Sequence, residues 1–180
     1  MQKEYVVNIG GKKATLPIIE IAEGLSIAFF NLHGEQELTE HCAKCIAKLI
    51  PGAEVVITAE SKGLQLAHCV ARNLGQARYA VARKSKKLYM QDGIEAEVKS
   101  ITTEEVQKLY LSEKDTALLK GKKVAIVDDV ISTGGSLVGL EQLVKLAGGT
   151  IAYKAFVLAE GEAAERKDIK YLATIPLFTY

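Results

Sequence analysis

Proline occurs only three times in 180 residues, so no stiff proline-rich linker divides the chain, and neither an internal repeat nor a low-complexity segment is evident. A single domain spanning residues 1–180 is expected. Cysteine is equally scarce: Cys42, Cys45 and Cys69 cannot all pair within one chain, which argues against a secreted disulfide scaffold. An excess of one charge is also missing. The 23 Lys and Arg against 22 Asp and Glu leave a formal net charge of +1, so nothing global draws the molecule to nucleic acid or acidic lipid. No stretch approaches the roughly 18 uninterrupted apolar residues of a membrane span, and Met1 to Val7 has no long apolar run behind its charges. A soluble, untargeted, cytoplasmic protein is the expectation. What is present is an ordinary globular composition, 48% hydrophobic and 25% charged, enough for a substantial core.

Residues 1–34 read as β-rich, with Tyr5 to Ile9, a Gly10-Gly11 turn, Ala14 to Ile21 and a third apolar run from Leu25 to Phe30. The period then changes. Leu38, Cys42, Cys45, Ile46 and Leu49 fall on one face of a helix that stops at Pro51-Gly52. From Ala53 onward short apolar runs alternate with helical stretches: Val55 to Thr58, a helix from Leu64 to Leu74, Tyr79 to Val81, Val124 to Val127, a helix from Gly135 to Ala147, and a strand from Ile151 to Ala159. An apolar finish runs from Tyr171 to Tyr180. This alternation predicts an α/β fold, with a central, mainly parallel sheet flanked by helices. Segment 84–120 breaks the rhythm, because it is polar and charged with one short strand-like stretch from Ile94 to Ile101, and it is expected to be an irregular insert acting as a lid.

The most informative stretch is Val124-Ala125-Ile126-Val127-Asp128-Asp129-Val130-Ile131-Ser132-Thr133-Gly134-Gly135-Ser136, an apolar strand running into two carboxylates and then a small-residue loop that opens a helix. Gly134 and Gly135 let successive backbone N–H groups converge, Thr133 and Ser136 add hydroxyl donors, and the helix N-terminus adds positive partial charge. Such a site suits a phosphate. The two acids would repel it, so they are expected to face sugar hydroxyls or a divalent cation from a solvent-facing pocket wall. A sugar phosphate is the ligand this pattern suggests. An ordinary strand-to-helix connection is the bland alternative, weakened by the cost of two adjacent acids at a strand end without a task. Neither a P-loop nor a G-x-G-x-x-G dinucleotide pattern occurs.

These residues closely resemble the phosphoribosyl pyrophosphate (PRPP) signature of type I phosphoribosyltransferases. The resemblance implies the Rossmann-like fold of that family, with Asp128 and Asp129 on the ribose hydroxyls and Val130, Ile131, Ser132, Thr133, Gly134, Gly135 and Ser136 forming the phosphate loop. Thr58-Ala59-Glu60-Ser61-Lys62-Gly63 is similar to the family's pyrophosphate loop, which puts Ser61 and Lys62 on PRPP. Ala82-Arg83-Lys84-Ser85-Lys86-Lys87-Leu88 resembles the basic stretch that opens a mobile hood in adenine and xanthine phosphoribosyltransferases. It implies Arg83, Lys84 and Lys87 as further PRPP contacts and 84–120 as the hood. Val157-Leu158-Ala159-Glu160, followed by Arg166, resembles the acid-bearing last strand of the same branch. Glu160 is thereby expected to touch the base and serve catalysis beside Asp128 and Asp129, with Phe29 and Phe30 as its roof or, equally, as core. Mg²⁺ is the implied cofactor, held by Asp128 and Asp129 with PRPP oxygens. The implied partners are PRPP, a purine base and a second copy of the chain in a homodimer.

The Phe-Arg-Asp stretch of adenine enzymes is missing between Leu16 and Phe30. Adenine is the preferred base, with xanthine or another 6-oxopurine close behind. A PRPP-sensing regulator without turnover is the rival class, but near-neutral charge and a short N-terminal part speak against direct DNA control. Glu104 and Glu105 are read as solubilising acids of the lid that closure would bring near the base, and Tyr89 as a residue able to stack on it. His41-Cys42-Ala43-Lys44-Cys45 and His68-Cys69 contain zinc-ligand types, but the helical spacing of the cysteines fits core packing better.

Overall fold

The computed structural model describes residues 3–99 and 106–180. The chain opens with strands β1 (Glu4–Ile9), β2 (Lys12–Ala22) and β3 (Leu25–Ala28), followed by helix α1 (Gln36–Leu49). Then come β4 (Val55–Ala59), α2 (Leu64–Asn73) and β5 (Ala80–Ala82). Next are β6 (Ile94–Lys99), β7 (Val106–Leu111) and α3 (Glu113–Leu119). The last third holds β8 (Lys123–Ile131), α4 (Gly135–Leu146), β9 (Thr150–Glu160), a 3₁₀ turn (Gly161–Glu165), β10 (Lys170–Ile175) and β11 (Leu177–Thr179).

All five residues of β4 are buried, as a strand covered on both faces requires. It lies in a five-stranded sheet of order β10-β9-β8-β4-β5, in which every neighbouring pair is parallel. Alternate residues of β8 feed opposite layers: Ala125 and Val127 join α1, α2 and the N-terminal strands, whereas Val124 and Ile126 join α3 and α4. This is the expected α/β architecture. The N-terminal strands form a separate sheet of order β1-β2-β3-β11, antiparallel throughout. The apolar finish therefore splits, with β10 extending the parallel sheet and β11 returning to pair with β3. Tyr5 meets Phe178 edge-on at 6.0 Å between ring centroids, and Ser26 Oγ lies 2.7 Å from Tyr180 Oη.

Two expectations change. Segment 84–120 is not irregular throughout: among the described residues 84–93 are irregular, but from Ile94 on β6 and β7 pair antiparallel and α3 follows directly. Leu109 and Leu111 are buried, Lys108 pairs with Glu95 and Glu97, and Ser112 Oγ caps α3 by accepting from the Asp115 amide at 3.1 Å. The charges that suggested a solvated insert are thus cross-strand partners on one outer face, and Ser112 begins a capped helix. Second, β8 does not end at Val127 but carries Asp128 and Asp129 within the strand as far as Ile131, paired through Val130 with Leu158 and Ile131 with Ala159. Glu104 and Glu105 lie outside the described residues.

Candidate functional site

The carboxyl ends of β4, β8 and β9 converge on one cleft, the usual consequence of a parallel sheet whose crossover helices leave the strand tips open. A cavity of about 460 Å³ there is lined by Phe29, Phe30, Ser61, Lys62, Lys84, Asp128, Asp129, Val130, Ser132, Ser136 and Glu160, with Ile27, Glu60 and Ile175. A smaller recess of about 180 Å³ continues it along Ile131 to Ser136 and also opens on Asp128. Residues from six separate stretches of sequence meet in this one space.

The two acids are held differently from what the sequence suggests. Each turns back on the next amide: Asp128 Oδ1 accepts from the Asp129 N–H, and Asp129 Oδ1 accepts from the Val130 N–H, both at 2.9 Å. They do not face bulk solvent, because β8 continues past them; Asp129 is only 5% exposed and Asp128 is half-buried. Among the described residues Asp129 Oδ2 is buried without a hydrogen-bond partner, and Lys62 Nζ stands 4.0 Å away. Burial and then the neighbouring Asp129 charge push the Asp128 carboxyl well above the usual carboxylate range, with Lys84 opposing them weakly. The strand end stores an unmet demand for donors or a cation.

Between β4 and α2 the loop turns through a cis Glu60–Ser61 peptide to Gly63. Gly63 approaches so closely that a Cβ there would fall 2.3 Å from Thr58 Oγ1 and 2.5 Å from Asp128 Oδ1. Only glycine lets this loop press against the acids. Lys62 rises from it over the Phe29 ring, 5.0 Å from the centroid. Glu60, a residue to which sequence reasoning assigned no role, links this loop to the basic stretch: it accepts from the Lys84 amide at 2.6 Å and pairs with Arg83 Nε at 2.7 Å. Burial resists its ionisation, but the Lys84 amide and the Arg83 charge outweigh burial and hold its carboxyl below the usual range. Glu60 and Arg83 are distant in sequence, and only the parallel pairing of β4 with β5 makes them neighbours.

Of the expected basic residues, Lys62 and Lys84 line the cavity. Arg83 instead turns onto Glu60 and donates to Tyr89 Oη at 3.1 Å, while the Lys87 amide donates to Met90 Sδ at 3.5 Å. Neither is part of the cavity wall. Tyr89 is exposed on the outer side of the same stretch. Phe29 and Phe30 divide the roles between them: Phe29 is half-buried under Lys62, and Phe30 is 2% exposed and belongs to the core while still edging the cavity. Glu160, 8% exposed, ends β9 on the cavity wall beside Ile175. Gly134, with φ of 81°, is the left-handed cap of α4, and Thr133 to Ser136 wrap the recess above that helix. Cys42 is fully buried in the core, where desolvation pushes its thiol up to about 12, as the packing reading required. Among the described residues no group of three or more His, Cys, Asp or Glu side chains is arranged around a metal position, and no helix is long and apolar enough to cross a membrane.

Residues 31–176 match the phosphoribosyl transferase domain family. The chain is 32% identical over 148 residues to a xanthine phosphoribosyltransferase of an Exiguobacterium species, covering 77% of this chain and 75% of that protein. It is also 32% identical over 131 residues to an adenine phosphoribosyltransferase of Thermotoga petrophila, covering 71% of each. The crystal structure of the adenine phosphoribosyltransferase of Thermoanaerobacter pseudethanolicus shares the fold, with a TM-score of 0.72 at 22% identity over 88% of this chain and 95% of that one. The chain belongs to the phosphoribosyltransferase family, type I, on the branch that holds the adenine and xanthine enzymes.

Proposed function

We propose that this protein transfers the 5-phosphoribosyl group of PRPP to a free purine base with release of pyrophosphate, and that adenine is the base. The observation that carries the reading is the unpartnered buried Asp129 Oδ2 in a cavity that continues into the phosphate loop. A carboxylate oxygen with no donor is costly, and ribose hydroxyls or a cation relieve that cost.

In this reading Asp128 and Asp129 accept from the ribose 2′- and 3′-hydroxyls. The amides and hydroxyls from Val130 to Ser136 hold the 5′-phosphate at the start of α4. Ser61, Lys62 and Lys84 meet the pyrophosphate, and Arg83 and Lys87 join them when the 84–120 hood closes. The residues present fit Mg²⁺ as well, since this ion takes one or two carboxylates and completes its shell with water and substrate oxygens. Asp128 and Asp129 would hold it, and it would supply neutralising charge for the leaving pyrophosphate. The bond from the anomeric carbon to pyrophosphate breaks as a base nitrogen bonds to that carbon, through a transition state with oxocarbenium character. The chain's work is to fix both partners, keep water out beneath Phe29 and Phe30, and set negative charge beside the ribose.

Glu160 supports adenine. It is a carboxylate acceptor on the wall away from the lysines, suited to an exocyclic amino group. Xanthine is the second reading, favoured by the identity to the Exiguobacterium enzyme. Incubation with Mg²⁺, PRPP and separate purine and pyrimidine bases, followed by chromatography, tests both: adenosine 5′-monophosphate is the expected product. Xanthosine monophosphate alone would replace adenine with xanthine. No nucleotide, with calorimetric PRPP binding retained, would make the protein a PRPP sensor. A homodimer of single-domain chains belongs to the same proposal, and sedimentation equilibrium at micromolar concentration tests it.

A further inference from the structure

Arg166 lies after the 3₁₀ turn, outside every stretch assigned to PRPP above. Its side chain is held by a chain of ion pairs. Nε and Nη2 donate to Asp168 Oδ1 and Oδ2 at 2.9 and 2.8 Å, Lys154 Nζ reaches Asp168 Oδ2 at 2.8 Å, and Glu141 on α4 pairs with Lys154. A two-bonded fork fixes the guanidinium plane as a single lysine contact would not. The third nitrogen, Nη1, is left over: no hydrogen bond from it is found among the described residues, and it lies 3.0 Å from the point where a Cβ on Gly134 would stand. Gly134 is the cap residue of α4 in the phosphate loop. The arginine is thus brought against the loop at a glycine, which has no side chain to keep it away.

The charge balance of the loop gives this contact a purpose. The recess from Ile131 to Ser136 contains no lysine or arginine in its wall, and it opens on Asp128. Lys62 and Lys84 stand in the wall of the larger cavity, with the pyrophosphate loop and Glu60. A phosphate dianion in the recess would meet only neutral donors and a nearby carboxylate. Adding one guanidinium nitrogen supplies both a charge and a directed donor.

We propose that Arg166 is a phosphate-binding residue of this enzyme, donating from Nη1 to the 5-phosphate at Gly134, and that Asp168, backed by Lys154 and Glu141, is the positioning residue that aims it. The proposal rests on the reading of this loop as the 5-phosphate site. Its test separates the two. Calorimetric titration of the wild-type protein with ribose 5-phosphate and, separately, with pyrophosphate measures each half of the site without turnover. Arg166→Gln is expected to weaken ribose 5-phosphate binding about 10- to 100-fold, the range for losing a charge-assisted hydrogen bond. It should leave pyrophosphate binding within about two-fold and raise KM for PRPP far more than it lowers kcat. Arg166→Lys keeps the charge but not the fork and should fall between, as should Asp168→Asn, which leaves the charge and frees the plane. These two variants also keep the test informative if Arg166→Gln folds poorly. Ribose 5-phosphate affinity unchanged in folded Arg166→Gln and Arg166→Lys would overturn the assignment of Arg166 alone. Wild-type protein that binds pyrophosphate but not ribose 5-phosphate would overturn the loop reading, and this proposal with it.

Discussion

Two sets of carboxylates flank α4, and they are built on opposite principles. Asp168 lies in the open between Arg166 and Lys154. The hydrogen bonds from Arg166, and then those from Lys154, hold its carboxyl below the usual range. Asp128 and Asp129 lie inward on β8, curl onto their own backbone and, among the described residues, have Lys62 as their one ion-pair partner, at 4.0 Å from Asp129. Burial there raises the Asp128 carboxyl instead. The first set completes itself, whereas among the described residues the second keeps an oxygen without a partner. Carboxylates of the same type thus differ in how they are stabilised according to whether the chain supplies their partners.

The largest expected effect strikes the incomplete set. Asp128→Asn with Asp129→Asn removes two charged acceptors, each worth about 1.5–3 kcal/mol toward a bound hydroxyl, so kcat/KM should fall on the order of 10²- to 10⁴-fold. Steady-state kinetics beside a thermal melt measure it, and unchanged efficiency in the folded variant would falsify the ribose assignment. Gly63→Ala comes next. Its Cβ would fall on Thr58 Oγ1 and Asp128 Oδ1, so the loop must shift at a cost of about 1–3 kcal/mol, seen as a lower melting temperature together with lost activity. An alanine variant that melts and turns over like the wild type would mean the loop and the acids are not pressed together.

Asp128→Asn alone sharpens the contrast through pH. A carboxyl whose folded pKa is raised favours folding fully below its unfolded value near 4, and that contribution is lost as pH rises through the raised value. Asparagine never ionises. The variant should therefore gain on the wild type, by on the order of 1–2 kcal/mol, as melts move from pH 5 to pH 9. A difference that does not grow with pH would show that burial does not penalise this charge. The smallest effect belongs to the self-completed set. Asp168→Asn should cost no more than about 1 kcal/mol at pH 7, since the pairs are partly exposed and screened. The sign is opposite: a depressed carboxyl stabilises above its unfolded value, and the benefit disappears as pH falls toward the depressed one. Urea unfolding at pH 7 and pH 3 measures the loss, and an equal cost at both would place the effect in packing rather than charge.

Much of the site was legible because its chemistry is local in sequence. The run from Val124 to Ser136 contains strand, acids, loop and helix start in order, and β-branched runs followed by small-residue loops are the code of a parallel strand tip. The order within segment 84–120 was hidden because its signal is not local. Glu95, Glu97 and Lys108 read as a solvated run until β6 and β7 are set side by side. Glu60 was passed over for the same reason, its partners Arg83 and Lys84 arriving only through the neighbouring parallel strand. The apolar finish concealed a change of sheet between Ile175 and Leu177 that no period marks.

The sequence by itself determined the alternation of strands and helices, the glycine loops that follow β4 and β8 and the burial of the cysteine face, since these depend on periodicity and on backbone freedom at a few glycines. Tertiary structure alone decided which charges find partners. Asp168, just ahead of β10, meets Lys154 on β9, Arg83 is drawn away from the cavity by Glu60, and Asp129 is left with an oxygen that no described residue satisfies. Pairing depends on distances of a few ångströms between groups far apart in sequence, and the energy of a charge changes with its burial. Neither quantity is written in the order of the residues.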